Sequence, residues 1–436
     1  MDFIADVRLT DGPVFWTACA LGAASAVYLL WRPASPGPRP WWLSVLVSVA
    51  CGIAVIGLVH WALIDVFSTF PEDLPDDVLL WSVPAVAALI LVLIRLPRST
   101  AGQRSAGITA FLLVLLLSAV QINAYFGLNR TVSDLMGTAL ARIQALEPGL
   151  MRQPGGPAPV SLQGWTPQGQ LPGEGALRRA TIPGPASALE TREAYIYLPP
   201  AYFAANRPAL PVLVLFSGQP GGPSDWLTGG ALRTRMDEFA SRHGGVAPVV
   251  VVADPNGTQS ANTLCLDSRI ARADTYLAVD VPAWISATLD VDPSHAQWAA
   301  GGFSFGATCA LQMGTRHPEL YRSVLAFSSE LEPALAKERQ KTIDAAYDGD
   351  TDAFERETPL SRMSQQRFDS SAVYFAAGER DPEFVGYMAT LADAARKAGF
   401  TAEAREVQHA GHSWDTPSRG MEDGLAFLAA RWGIRQ

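Results

Sequence analysis

The chain has 436 residues, 49% of them apolar, and a formal net charge of −9. That length exceeds one ordinary domain, and the apolar share is high for a soluble enzyme. An acidic balance, with no basic cluster beyond a few short loops, argues against a nucleic-acid partner.

The apolar excess is confined to the first third. Val14–Trp31, Trp42–Ile64, Leu79–Leu96 and Ile108–Ile122 are long runs almost free of charge, and they approach or exceed the roughly 20 residues that cross a bilayer core. None combines a short apolar stretch with a small-residue cleavage site, so a removed signal peptide is not expected. Apolar character all round each segment favours four transmembrane helices over a buried soluble bundle. The first connecting loop carries Arg32 and Arg39, and the third carries Arg95, Arg98 and Arg104. The second carries Asp65, Glu72, Asp73, Asp76 and Asp77 without Lys or Arg. Basic loops stay cytoplasmic, so loops one and three face in and loop two faces out. Four crossings return the chain to the side of its N-terminus and put the rest of it outside the cytoplasm. Lysine occurs only at 337, 341 and 397 while arginine is abundant, a codon bias expected of a GC-rich bacterial genome.

The expected organisation is a four-helix transmembrane region over 1–125, a connector over 126–174 and a catalytic domain over 175–436. In the connector, Val132, Leu135, Met136, Leu140, Ile143 and Leu146 recur at helical spacing and predict a helix over Leu128–Leu146. Pro148–Gly175, rich in Pro, Gly and Gln, predicts a flexible or extended linker. Strands are then expected near Arg178–Ile182, Arg192–Leu198, Val212–Phe216, Pro248–Ala253, Gln297–Gly301, Ser323–Phe327, Ala372–Ala377 and Thr401–Val407. Helices are expected near Ala231–Ser241, Tyr276–Leu289, Phe305–Arg316, Phe384–Ala398 and Met421–Trp432. Continuous apolar runs in the central strands predict an α/β domain whose mostly parallel sheet is covered by helices on both faces. Leu331–Ser370 interrupts the alternation with a polar, charged segment that either borders a cleft or simply connects.

Gly302-Phe303-Ser304-Phe305-Gly306 lies between an expected strand and an expected helix, the context that a G-x-S-x-G nucleophile elbow requires. The tight turn would lift the Ser304 hydroxyl out of the sheet and set the N–H of Phe305 at a helix N-terminus, ready for an oxyanion. A serine needs a base and the base an orienting acid, in the chain order Ser, Asp or Glu, His. Of the histidines after Ser304, His317 ends the following helix and points away; His412, in the loop Ala410–Trp414, is favoured over His409. Both Glu379 and Asp381 follow the preceding strand; Asp381 is favoured because it lies deeper in the loop, although a plain helix N-cap would also place an Asp there. The loop Ser217–Gly222 follows a strand and offers the N–H of Gln219 as second oxyanion donor. Asp225 and Trp226, just beyond it, could line an acyl or leaving-group site. Cys19 and Cys51 fall in the membrane runs; Cys265 and Cys309 are expected as buried thiols rather than a disulfide. No H-E-x-x-H or Cys/His ligand spacing appears, so neither a metal nor a cofactor is expected.

Tyr195–Tyr202, Val214–Gly218, Ala300–Ala307, Arg316–Tyr321, Gly378–Asp381 and Gly411–Trp414 together resemble the α/β-hydrolase branch that contains esterase D, feruloyl esterases and the antigen 85 mycolyltransferases. The resemblance covers about residues 175–433. It implies an α/β-hydrolase fold with Ser304 as nucleophile, Asp381 as acid and His412 as base. The chain departs from the family pattern at Phe305, where members often carry Met, and at Ser217-Gly218-Gln219 in place of a His-Gly or Asp-Gly pair. The expected function is a membrane-embedded, extracytoplasmic serine esterase or acyltransferase whose partner is an ester substrate of the lipid or envelope-glycolipid kind. The alternative is a catalytically idle hydrolase domain serving a membrane protein as a binding or scaffold module.

Overall fold

The computed structural model describes residues 5–31, 40–153, 155–156 and 158–434. The chain divides into two compact units, Met1–Ala139 with Leu335–Glu338, and Leu140–Ala334 with Arg339–Gln436.

The first unit contains α1 (Gly12–Leu30), α2 (Trp41–Trp61, continued by a π turn over Ala62–Val66), α3 (Asp76–Arg95) and α4 (Ala101–Phe126). These four are long and apolar enough to cross a membrane. At about 1.5 Å per residue even α1, with 19 residues, reaches roughly 28 Å. Between 11% and 28% of each span is buried within the unit, so most of the apolar surface faces outward, with Trp16, Val27, Leu46, Leu58, Leu80 and Leu112 among the exposed side chains. Leu29, Ala88, Leu91, Val92, Ala110 and Val114 form the small interior. A capping box of Thr100 and Gln103 starts α4, and Gly127 at φ 64 ends it. Arg32 and Arg39, counted above for the first loop, lie outside the described residues.

The expected helix over Leu128–Leu146 is not formed. Gly137, at φ 64, separates two single turns, Val132–Leu135 and Thr138–Ala141. The chain then extends as β1 (Gln144–Ala145), which pairs in parallel with β2 (Ala176–Ala180). Leu146 N–H donates to the Arg179 carbonyl at 2.9 Å, and Arg178 meets Glu147 at 2.6 Å. The Pro/Gly-rich stretch is extended but attached: Val160 bridges Pro208, and the Trp165 indole N–H donates to the Asn206 carbonyl at 2.8 Å.

The second unit is built on one sheet, nine-stranded among the described residues, in the order β1-β2-β3-β5-β4-β6-β7-β8-β9. The further strands are β3 (Ala194–Leu198), β4 (Val212–Phe216), β5 (Val249–Val252), β6 (Trp298–Phe303), β7 (Ser323–Phe327), β8 (Ala372–Gly378) and β9 (Thr401–Val407). Pairing is antiparallel at β2/β3 and β3/β5 and parallel elsewhere. Every residue of β4, β5, β6, β7 and β8 is buried, as a sheet covered on both faces demands. The helices that cover it are α5 (Leu232–Arg242), α6 (Val281–Thr288), α7 (Phe305–Arg316), α11 (Pro382–Ala398) and α12 (Asp415–Trp432). Between β7 and β8 the polar segment folds into α8 (Arg339–Tyr347), α9 (Thr351–Glu355) and α10 (Pro359–Gln365). This is the α/β-hydrolase arrangement, and the mixed, mostly parallel sheet agrees with the fold class expected from the sequence.

Leu213, in the middle of β4, has no exposed surface. Its replacement by Ala should lower the unfolding free energy of the second unit by about 2–5 kcal/mol, read from chemical denaturation of the purified chain.

Candidate active site

At the end of β6 the backbone turns sharply. Ser304 sits at φ 56, ψ −124, a conformation that costs a non-glycine residue roughly 1–3 kcal/mol and persists only where its surroundings enforce it. They do so through close backbone approach. A Cβ on Gly302 would lie 2.0 Å from the Gly306 carbonyl oxygen, and one on Gly306 would lie 2.2 Å from that of Phe216. Neither position admits a side chain without displacing main chain. Ser304 N–H donates to the Phe327 carbonyl on β7 at 2.9 Å, while its own carbonyl accepts from Ala307 and Thr308 at the start of α7.

The turn points Ser304 Oγ at the loop after β9. His412 Nε2 lies 2.9 Å from this oxygen, and His412 Nδ1 lies 2.9 Å from Asp381 Oδ2. A proton on Nδ1, donated to the carboxylate, leaves Nε2 free to accept from the hydroxyl. The side chains of His412 and Asp381 retain 16% and 10% of their exposure, so their contact is shielded from water on most sides. Asp381 also caps α11: its other oxygen accepts from Phe384 N–H at 3.5 Å. The same carboxylate therefore meets the helix start and the imidazole, using different oxygens. Phe384 and Phe303 pack on the imidazole with ring centroids 4.2 and 5.2 Å away, and Trp414 lies 5.1 Å from Phe303. Sequence reasoning missed these aromatic walls, although their places beside the elbow, the acid and the histidine were a signal.

The competing residues go elsewhere. Glu379 accepts from the His409 N–H at 2.7 Å, and His409 keeps 72% of its side-chain exposure. His317 binds Asp274 at 3.0 Å beyond the end of α7.

Phe305 is the first residue of α7, so no acceptor within the helix can reach its N–H. The loop after β4 comes close to it: a Cβ on Gly218 would be 3.6 Å from Ser304 Cβ. Among the described residues the N–H of Gln219, next in that loop, has no hydrogen-bond acceptor. Of the two residues expected to line an acyl or leaving-group site, Trp226 has no exposed surface with which to do so, while Asp225 keeps partial exposure. Trp226 is fully buried, donates to the Phe216 carbonyl at 3.0 Å and packs edge-on against Trp414. Asp225 accepts from the Gly222 N–H at 2.9 Å, and burial pushes its carboxyl above the usual range. Both hold the loop after β4 through its main chain.

Cys265 and Cys309 form a disulfide, contrary to the expectation of two thiols. The loop after β5 turns back on α7 through left-handed Leu264 and Cys265, at φ 60 and 53, a reversal that residue types alone did not announce. Glu330, buried at the end of β7, accepts from Thr308 Oγ at 3.1 Å, one helical turn beyond Ser304.

The model of the family described as "Putative esterase" matches residues 187–426. The chain belongs to this family. The chain is 35% identical over 271 residues to an uncharacterised protein of Corynebacterium glutamicum, an alignment covering 60% of it. It spans 63% of the length of that curated relative. Among solved structures it is similar to a ferulic acid esterase, with a TM-score of 0.51 and 18% identity, covering 60% of this chain and 99% of the other. An S-formylglutathione hydrolase from Agrobacterium tumefaciens aligns with a TM-score of 0.49 and 19% identity, covering 62% of this chain and 99% of the other. The first of these likenesses agrees with the α/β-hydrolase fold.

Gly306→Ala should lower stability by about 3 kcal/mol or more, since the new methyl group meets main chain rather than a yielding side chain. A thermal melt of the purified variant beside the parent measures it; an unchanged melting temperature would mean that the turn is looser than described.

Proposed function

We propose that this chain is a membrane-anchored serine esterase or acyltransferase whose catalytic unit lies outside the cytoplasm and acts on carboxylic esters of lipids or the cell envelope. The observation that carries the reading is one imidazole, His412, at 2.9 Å from both Ser304 Oγ and Asp381 Oδ2 beside a serine held at φ 56.

On this reading Ser304 Oγ attacks the ester carbonyl as His412 Nε2 takes its proton, and Asp381 holds the imidazole in the tautomer that can accept it. The amides of Phe305 and Gln219 donate to the oxygen that becomes negative. Collapse of the tetrahedral intermediate passes the proton from His412 to the departing alcohol and leaves an acyl group on Ser304. Water then completes a hydrolysis, or an acceptor hydroxyl completes a transfer, with His412 again as base. Both outcomes use the same residues.

Membrane anchoring is supported by the four long apolar helices and the orientation by the acidic second loop between basic neighbours. The Cys265–Cys309 disulfide adds independent support, because such bonds persist in oxidising compartments and are rare in the cytosol. An anchored catalytic unit meets membrane-borne esters at high effective concentration, which favours lipid or envelope-linked substrates over freely diffusing ones.

A fluorophosphonate probe should label the wild type and not Ser304→Ala; labelling of neither would favour an inactive scaffold. Asp381→Asn should keep the fold while turnover of a p-nitrophenyl ester falls by about 10⁴, whereas Glu379→Gln should leave turnover unchanged. In intact cells, added protease should digest the catalytic unit, and protection of the C-terminus would reverse the orientation.

A further inference from the structure

The two amides assigned above to the oxyanion stand on separate pieces of chain. Phe305 is fixed at the head of α7, but Gln219 sits in a loop stiffened mainly by its own bonds, such as Ser217 Oγ to the Gly222 carbonyl at 2.7 Å. Among the described residues, hydrogen bonds that leave the outer part of this loop run to one neighbour, the segment after β5. Gly221 N–H donates to the Gln259 carbonyl at 2.9 Å, and Gln219 Nε2 donates to that of Ser260 at 3.0 Å.

That segment is itself tightly determined. At its start the buried Asp254 carboxylate takes a two-pronged grip from Arg192 at 2.8 and 2.9 Å and accepts from the N–H groups of Asn256 and Gly257. Asn256 Oδ1 then accepts from both the N–H and the hydroxyl of Thr263 at 3.0 and 3.1 Å, and Thr263 Oγ1 accepts from Cys265 N–H at 3.3 Å. The disulfide closes the path by joining Cys265 to Cys309, five residues beyond Ser304 on the nucleophile's own helix. Both sulfurs are in residues with no exposed surface.

We infer that Cys265, Cys309 and Thr263 are positioning residues of the proposed reaction. They complete a closed circuit of covalent and hydrogen bonds, from Ser304 through α7 and the post-β5 segment to Gln219, that fixes one oxyanion donor relative to the other. The circuit rests on the serine mechanism proposed above. It matters in the transition state more than in the ground state, because donor placement counts where charge develops. An error of about 1 Å in such a group can cost a factor of 10² in rate. Opening the circuit should therefore lower kcat and leave KM nearly unchanged.

The test compares wild type, the double variant Cys265→Ala/Cys309→Ala and Thr263→Val, all as full chains in detergent, on a p-nitrophenyl ester below their melting temperatures. Each variant should lose at least about tenfold in kcat, short of the 10²–10³ for deleting a donor outright, with KM within about twofold. Wild type incubated with dithiothreitol until thiol titration shows the buried disulfide open should show the same loss, as two electrons and two protons convert the S–S bond into two thiols and the reagent into its cyclic disulfide. The double variant should not respond to the reagent. If the double variant fails to fold, Thr263→Val and reduced wild type decide. Wild-type kcat in folded variants, or a change confined to KM or melting temperature, overturns the inference while leaving the serine mechanism intact. Failure of the fluorophosphonate to label wild-type Ser304 is the separate result that overturns the mechanism itself.

Discussion

The second unit is organised around a main-chain contact rather than a side-chain one. Where β6 gives way to α7, three stretches of backbone, at Gly302, Gly306 and Phe216, approach until only hydrogens fit between them. This crowding keeps Ser304 in a conformation that an L-residue would otherwise leave. The same crowding lays the loop after β4 beside the first amide of α7. One steric condition thus sets the direction of the hydroxyl and brings the loop after β4 close to it. The strain is sustained by the buried β4, β6 and β7 strands that hold the turn from both sides.

The imidazole, by contrast, arrives on a loop, and loops need fixing. Two tilted phenyl rings packed against it limit its rotation, and a carboxylate at the start of α11 takes its second nitrogen. Asp381 can do this without giving up its role at the helix start because a carboxylate has two oxygens and α11 needs only one. The neighbouring Glu379 is tied to the backbone of His409 and so holds the loop that carries His412 rather than the imidazole itself.

Local chemistry was legible wherever it repeated along the chain. The bounds of β4, β7, β9 and α7 coincide with those read from apolar runs and turn residues, and the four apolar segments became four helices. The reading failed where distant pieces meet. Apolar residues at helical spacing over Leu128–Leu146 suggested a helix, yet Gly137 adopts a left-handed turn and the chain is drawn out to pair with β2; tertiary pairing outweighed local periodicity. The disulfide needed a loop reversal through two left-handed residues, neither of them glycine. Trp226 looked like a cleft residue because it follows the loop after β4, but the indole N–H turned inward to a strand carbonyl.

The short pairing of β1 with β2 carries a practical corollary for anyone wishing to separate the second unit from the four long apolar helices. Compositional bias alone would invite a cut inside the proline-rich stretch, near residue 170. Such a cut would strip Gln144 and Ala145 from the sheet, remove the glutamate that meets Arg178, and bare an edge of unsatisfied amides. Exposed edges of that kind recruit other chains into aggregates. A well-behaved soluble fragment therefore begins upstream of residue 143, keeping the strand that the composition disguises as tether.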